Sequence, residues 1–227
     1  MFERLIRILG TDDFHILQNS HIFLIGIGGV GGYALEALVR SGISSLTICD
    51  YDTIEKSNMN RQILATSNNI GAYKVEEARN RVMSINPLCN VQMIQDYVSI
   101  DFWQHYDFSS YDFVIDACDD ILVKKELILR CMDQQVPIVS CMGTGNRIHP
   151  ELLEISSLDK TYQDPLSRKM RQLIRQVDES YLRVPVVWSR ECPIQTDKLG
   201  TICTVPMVAG SYLASYAIHT ILGKKKK

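Results

Sequence analysis

Short apolar runs alternate with segments of helical periodicity through the first two thirds of the chain. The runs at 22–27 (I-F-L-I-G-I), 45–50 (S-L-T-I-C-D), 90–98, 112–117 (D-F-V-I-D-A) and 137–141 (P-I-V-S-C) have strand length and are rich in branched and aromatic residues. Segments 30–41, 71–85 and 121–134 carry helical spacing, and Asn86-Pro87 stops the second of them. Strands and helices in strict alternation predict βαβ units and a parallel sheet. After about residue 150 the rhythm changes: 151–155 and 184–188 read as strands around a charged helix at 165–179, and an uncharged segment closes the chain. The predicted fold is α/β, a Rossmann-like doubly wound, mostly parallel sheet with helices on both faces and a small C-terminal α+β extension.

Composition narrows the function classes. A chain of 227 residues can bury a substantial core, and a formal charge of −2 excludes a generally basic nucleic-acid binder while permitting a local basic face. Its 7 cysteines are an odd number with no C-x-x-C pair, which argues against a disulfide framework and a four-cysteine zinc site. The N-terminus lacks the pattern of a signal peptide, so a reducing cytoplasm is expected. From Gly200 to Gly223 there is no Asp, Glu, Lys or Arg, and Lys224 to Lys227 follow. Pro206 divides this stretch into a short arm and one helix, and polar residues dilute it. A buried helix is therefore the preferred reading over a membrane span or membrane-surface anchor.

Five motifs carry candidate chemistry. Gly26-Ile27-Gly28-Gly29-Val30-Gly31 matches G-x-G-x-x-G between a predicted strand and a predicted helix. Such glycines permit a tight turn and bring backbone N–H groups up to a phosphate. Asp50 closes the next strand, where a carboxylate accepts ribose hydroxyls, and Asp50-Tyr51-Asp52 leads into Ser57-Asn58-Met59-Asn60-Arg61-Gln62 and Gly71-Ala72-Tyr73-Lys74. A hydride-transfer site has no use for two cations here. Cleavage between the α and β phosphates of a triphosphate does, because negative charge builds on the departing pyrophosphate. The plainer alternative is a solvated lysine and a surface arginine. Finally, Asp116-Ala117-Cys118-Asp119-Asp120 ends an apolar strand, placed to hold Mg²⁺ against phosphate oxygens, although one of these acids also suits the cap of helix 121–134.

Taken in this order and spacing, the motifs resemble those of the ThiF/MoeB/ubiquitin-activating superfamily of ATP-dependent adenylating enzymes. The N-terminal R-x-x-R-x-L-G at residues 4–10 fits as well. Within the second half, D-P-L-S-R-K-M-R at 164–171 and G-T-I-C-T-V-P-M-V-A-G at 200–210 resemble the tRNA-dehydratase branch, which acts on N6-threonylcarbamoyladenosine at position 37. Gly32 departs from the Ser or Cys of many relatives. The resemblance implies residues 1–150 as the ATP-binding adenylation region and 151–227 as an extension completing the same domain on the tRNA side.

It also implies ATP with Mg²⁺, no zinc, and a role for each matching residue. The backbone of Gly28 and Gly29 takes the phosphates and Asp50 the ribose, with Gly26, Gly31 and Asp52 also in the cofactor-binding set. Asn58, Arg61 and Lys74 take the phosphate chain, and Asn60 and Gln62 belong to the same cofactor-binding set; Asp119 takes Mg²⁺ with Asp116, also in that set, behind it. Arg61, Lys74 and Asp119 would be catalytic. Arg4 or Arg7 would reach a partner subunit's site, implying a homodimer, and sulfur-relay proteins are further partners of such enzymes. A tRNA partner requires a basic surface: Arg168, Lys169, Arg171, Arg175, Arg183 and Arg190 stand against Asp178 and Glu179, with the Lys224 to Lys227 tail next. Tyr181 and Trp188 are better read as core than as base-stacking residues. Cys192 is the best candidate for an exposed thiol, and the acidic cluster disfavours a Cys118 thiolate. The alternative functions are an activator of a ubiquitin-like sulfur-carrier protein and a nucleotide-regulated scaffold.

Overall fold

The computed structural model describes residues 1–95 and 99–224. Seven strands form one sheet in the order β3-β2-β1-β4-β5-β7-β6. They are β1 (His21–Ile25), β2 (Ser45–Cys49), β3 (Asn90–Ile94), β4 (Phe113–Asp116), β5 (Ile138–Cys141), β6 (Leu153–Ser157) and β7 (Pro185–Ser189). All neighbours are parallel except β6 and β7. The predicted strand 90–98 ends earlier, at Ile94, and its residues 96–98 lie outside the described residues.

Burial on both faces explains the unbroken apolar runs. Along β1, Ile22 and Leu24 enter one core with α3 (Gly31–Arg40), α4 (Lys74–Ile85) and α8 (Thr204–Ile221), whereas Phe23 and Ile25 enter the other with α5 (Ile100–His105), α6 (Ile121–Asp133) and α7 (Pro165–Arg175). Phe23 holds the second core, with Trp103, Tyr106, Phe108 and Tyr111 all packed around its ring. Two N-terminal helices, α1 (Glu3–Leu9) and α2 (Thr11–Asn19), and α5 are elements that the periodicity did not reveal. Each is short and takes its stability from tertiary contacts, as α2 does through buried Phe14 and Leu17.

The uncharged segment is α8. Its buried residues Val205, Ala209, Gly210, Leu213, Ala214 and Ala217 lie on one side, and Met207, Ser211, Ser215 and His219 face outward at four-residue spacing. A Cβ on Gly210 would come 2.3 Å from Val30 O, so only glycine lets α8 approach α3 this closely. The segment is a short arm, 200–203, followed by one helix that begins two residues before Pro206. Pro206 sits in the first turn of α8, where a missing N–H leaves no helical bond unmade. Among the described residues, no helix is long and apolar enough to cross a membrane.

Candidate active site

The strand order reverses at β1 and β4, which pair Ile25 with Asp116 at their carboxyl ends. Open parallel sheets bind ligands at such a switch point. Here the glycine loop leaves β1 beside the turn that leaves β4. Gly26 has φ +83°, and a Cβ there would come 2.6 Å from Ala117 C; a Cβ on Gly31 would come 1.7 Å from Gly26 O. These two glycines are demanded by packing. Gly28 and Gly29 are different, since a Cβ would meet only ordinary contacts with Gln62 and Arg61 and would take up space in a cavity of about 650 Å³.

That cavity brings together Gly26, Gly28, Gly29, Asp50, Asp52, Asn58, Arg61, Gln62, Lys74 and Asp119. Asp50 is nearly buried. Its Oδ2 accepts the Ile27 N–H at 2.6 Å and its Oδ1 the Asp52 N–H at 2.9 Å, so this carboxylate ties the glycine loop to the turn after β2. Burial pushes its carboxyl above the usual range, although Lys74 and both N–H groups pull the other way. Lone pairs remain on both oxygens for ribose hydroxyls.

The two cations are not equivalent. Lys74 is 6% exposed, begins α4, and donates to Asp52 Oδ2 at 2.6 Å with Asp50 Oδ1 at 3.9 Å. Arg61 has no acidic partner among the described residues; its Nη1 donates to Ser57 O at 2.8 Å and to Asn60 Oδ1 at 3.0 Å. Uncompensated positive charge beside the glycine loop therefore resides on Arg61. Asn58 is buried and closes the turn before it, accepting the Glu55 N–H at 3.1 Å.

Three residues of the expected cofactor-binding set are not on the cavity wall. Gly31 packs the loop and does not line the cavity. Asn60 is also off the wall, its Nδ2 donating to Thr201 O at 3.0 Å. Asp116 is fully buried and faces α6, because alternation along β4 turns it to that side. There its Oδ2 accepts Lys124 Nζ at 2.7 Å and Ser140 Oγ at 2.5 Å, while Oδ1 accepts the Cys118 N–H at 3.1 Å. Burial lowers the affinity of Lys124 for its proton, but the Asp116 carboxylate more than restores it, and the ammonium is held above its ordinary pKa.

Asp119 is exposed on the cavity wall and makes no hydrogen bond or ion pair among the described residues, which suits it to a hard cation such as Mg²⁺. Asp120 takes the capping role, accepting from Leu122 N and Val123 N. Burial, and then Asp116, pushes the Cys118 thiol well above its normal pKa, whereas Cys192 is exposed.

Sequence reasoning missed the opposite wall, built by Gly143, Thr144, Gly145, Arg147, Asp164 and Leu166. Buried Arg147 donates to Asp164 Oδ2 at 2.6 Å, and Asp164 Oδ1 accepts Ser167 N at 2.6 Å to cap α7. The G-T-G directly after the P-I-V-S-C strand was its available signal. On α7, Arg168, Lys169 and Arg175 are exposed, but Arg175 faces Glu179 at 3.4 Å and Arg171 is half-buried, donating to Thr161. The Arg171 guanidinium secures the loop before α7. Trp188 is core, and Tyr181 donates to Asp133. Arg4 and Arg7 are exposed on α1, with Arg7 paired to Glu3.

Fold and site define a doubly wound α/β protein whose glycine loop faces an acid-paired lysine and an arginine with no acidic partner among the described residues. The chain belongs to the ThiF family, whose model matches residues 2–227. It is 35% identical over 209 residues to the tRNA threonylcarbamoyladenosine dehydratase of Escherichia coli (strain K12), covering 89% of this chain and 78% of that protein. With the Haemophilus influenzae enzyme of the same name it shares 41% identity over 169 residues, 74% of this chain and 65% of the relative. A crystal structure of the E. coli dehydratase TcdA in complex with ATP superposes with a TM-score of 0.93 at 34% identity, covering 98% of this chain and 94% of the other.

Proposed function

We propose that this protein is an ATP-dependent dehydratase of N6-threonylcarbamoyladenosine at position 37 of tRNA. One observation carries the reading: the likeness to the dehydratases runs through the second half of the chain as well as the nucleotide site, at 98% coverage of the fold. In the first step, a carboxylate oxygen of the threonyl group attacks the α-phosphorus of ATP, the bond to the β-phosphate oxygen breaks, and pyrophosphate leaves. In the second, a carbamoyl heteroatom attacks the acyl carbon and AMP departs with one former carboxylate oxygen. A carbamoyl proton is lost, so the product is shorter by one water. The attacker is already tethered, and ring closure needs positioning more than an enzyme nucleophile.

The chain's own residues supply binding and charge. Backbone N–H groups of Gly28 and Gly29 and the N-terminus of α3 receive the phosphates, and Asp50 receives the ribose. Arg61 meets charge growing on pyrophosphate, and Lys74 exchanges part of its Asp52 contact for a phosphate oxygen. Asp119 would hold Mg²⁺, which supplies charge neutralisation along the phosphate chain. Arg4 or Arg7 acting on a second subunit, a homodimer and a cytoplasmic setting belong to the same reading.

The deciding experiment incubates purified protein with ATP, Mg²⁺ and tRNA bearing the linear nucleoside. Mass spectrometry should find that nucleoside converted to a form lighter by one water, with AMP and pyrophosphate in equal amounts. ATP consumption only when a ubiquitin-like carrier protein is added would overturn the assignment.

The tRNA surface is testable separately. Arg168 and Lys169 are exposed at the start of α7, next to Pro165 and Leu166 on the cavity wall. Reversing both to Glu should weaken tRNA binding and flatten its salt dependence, with ATP affinity retained, because fewer counterions are released on binding. A salt titration with an unchanged slope would move the tRNA surface elsewhere.

A further inference from the structure

Residues 190–203 join β7 to α8 and cross the mouth of the cavity, where Pro193, Leu199 and Thr201 contribute to its lining. Arg190 and Glu191 tie the start of this strap to β6 and to the loop before it, Tyr33 Oη meets Cys203 Sγ at its end, and the stretch between, 194–201, is held at two places. At one, Asn146 holds it from the loop after β5: Asn146 N donates to Gly200 O at 2.8 Å, Gly200 N to Asn146 Oδ1 at 2.6 Å, and Ile194 N to Asn146 O at 2.8 Å. Asn146 takes a positive φ of 56° to do so, and the Leu199 side chain lies over Gly145, where a Cβ would come 2.6 Å from it.

The second fastening is Asn60. Its Nδ2 donates to Thr201 O at 3.0 Å, and its Oδ1 accepts Arg61 Nη1 at 3.0 Å. One amide thus bridges the strap and the arginine. The geometry reads in only one sense, since a guanidinium donates and a carbonyl accepts; a flipped amide would lose both bonds. Arg61 has no carboxylate to orient it among the described residues, and its remaining anchor on this side is Ser57 O. Asn60 itself stands outside the cavity wall.

We propose that Asn60 is a positioning residue that acts through Arg61: with the strap seated, Thr201 fixes the amide and the amide aims the guanidinium at the phosphate chain. Seating of the strap against the cavity is thereby linked to the cation beside the glycine loop. This inference rests on the adenylation reading of the site, but not on which acyl substrate is used. A misaimed charge is enough to slow a reaction, because stabilisation of developing charge depends on preorganised geometry.

The test is a double-mutant cycle on full-length protein, with Asn60→Ala, Arg61→Ala and the combined variant. Affinity for Mg·ATP by calorimetry is one readout, and dehydration of modified tRNA is the other. Asn60→Ala should lower turnover by roughly tenfold, and the combined variant should be no slower and bind ATP no more weakly than Arg61→Ala alone. Asn60→Asp keeps the acceptor for Arg61 and loses the donor to Thr201. Its new carboxylate also neutralises the guanidinium, so ATP affinity and turnover should fall toward those of Arg61→Ala while tryptic cleavage at Lys198, exposed on the strap, becomes faster. Asn60→Ala acting with the same factor in the Arg61→Ala background overturns the proposal, as does unchanged cleavage at Lys198 in both Asn60 variants. Wild-type protein inactive on the tRNA would sink the dehydratase assignment instead, while the ATP-affinity cycle would still decide the role of Asn60.

Discussion

Replacing Arg61 with alanine is expected to slow adenylate formation by about 10²–10³, with a much smaller change in the melting temperature. The size follows from its place: it borders the glycine loop, and no acid offsets its charge among the described residues. A cation already neutralised gives a transition state less, and Lys74 is in that position, held by Asp52 at 2.6 Å. Lys74→Ala therefore combines a catalytic loss with a structural one, because Asp50 is left nearly buried without its nearest cation. Single-turnover release of pyrophosphate, measured beside thermal melting, separates the two variants. Near-normal pyrophosphate release by Arg61→Ala would remove this residue from the phosphate site.

The second large effect is on stability. Lys124→Ala should destabilise the protein by about 3–5 kcal/mol, since both members of the Lys124–Asp116 pair have no solvent exposure and the variant strands a buried carboxylate. Removing both partners, as Lys124→Met with Asp116→Ala, should recover much of that loss, because no uncompensated charge remains. Linkage gives the pH dependence. A lysine whose folded pKa is raised contributes stability that is complete below its unfolded value, and it is lost only as strongly alkaline pH passes the folded value. Denaturant midpoints at unchanged slope provide the measurement. A single variant as stable as wild type would mean that water reaches Asp116.

Asp116 also shows where reading the chain falls short. D-A-C-D-D announces an acidic strand end, and its position after an apolar run places it at the carboxyl edge of the sheet. Which acid faces the cavity depends on the pleat of β4 and on where the strand stops. Asp116 turns under α6, Asp119 comes out on the wall, and Asp120 caps the helix. Similarly, N-x-N-R-Q supplies a set of polar side chains, but only the packed turn puts Asn58 and Gln62 on the cavity and Asn60 against the strap.

Periodicity alone determined the alternation of strands and helices, and hence a parallel sheet with two buried faces, because a period of two or of 3.6 is written in every few residues. The glycine spacing likewise determined a phosphate-type turn, since its backbone requirement is local. Tertiary structure decided whatever depends on partners distant in the chain. The uncharged C-terminal segment became a buried helix because Gly210 admits α8 against α3. The N-terminal helices and α5 exist through contacts that no local pattern encodes. The opposite cavity wall, the pairing of Arg147 with Asp164, and the bridge from Thr201 through Asn60 to Arg61 join residues separated by up to 141 positions. Hydrogen bonds of this kind form only once the strands have set their distances, so one-dimensional spacing carries no trace of them.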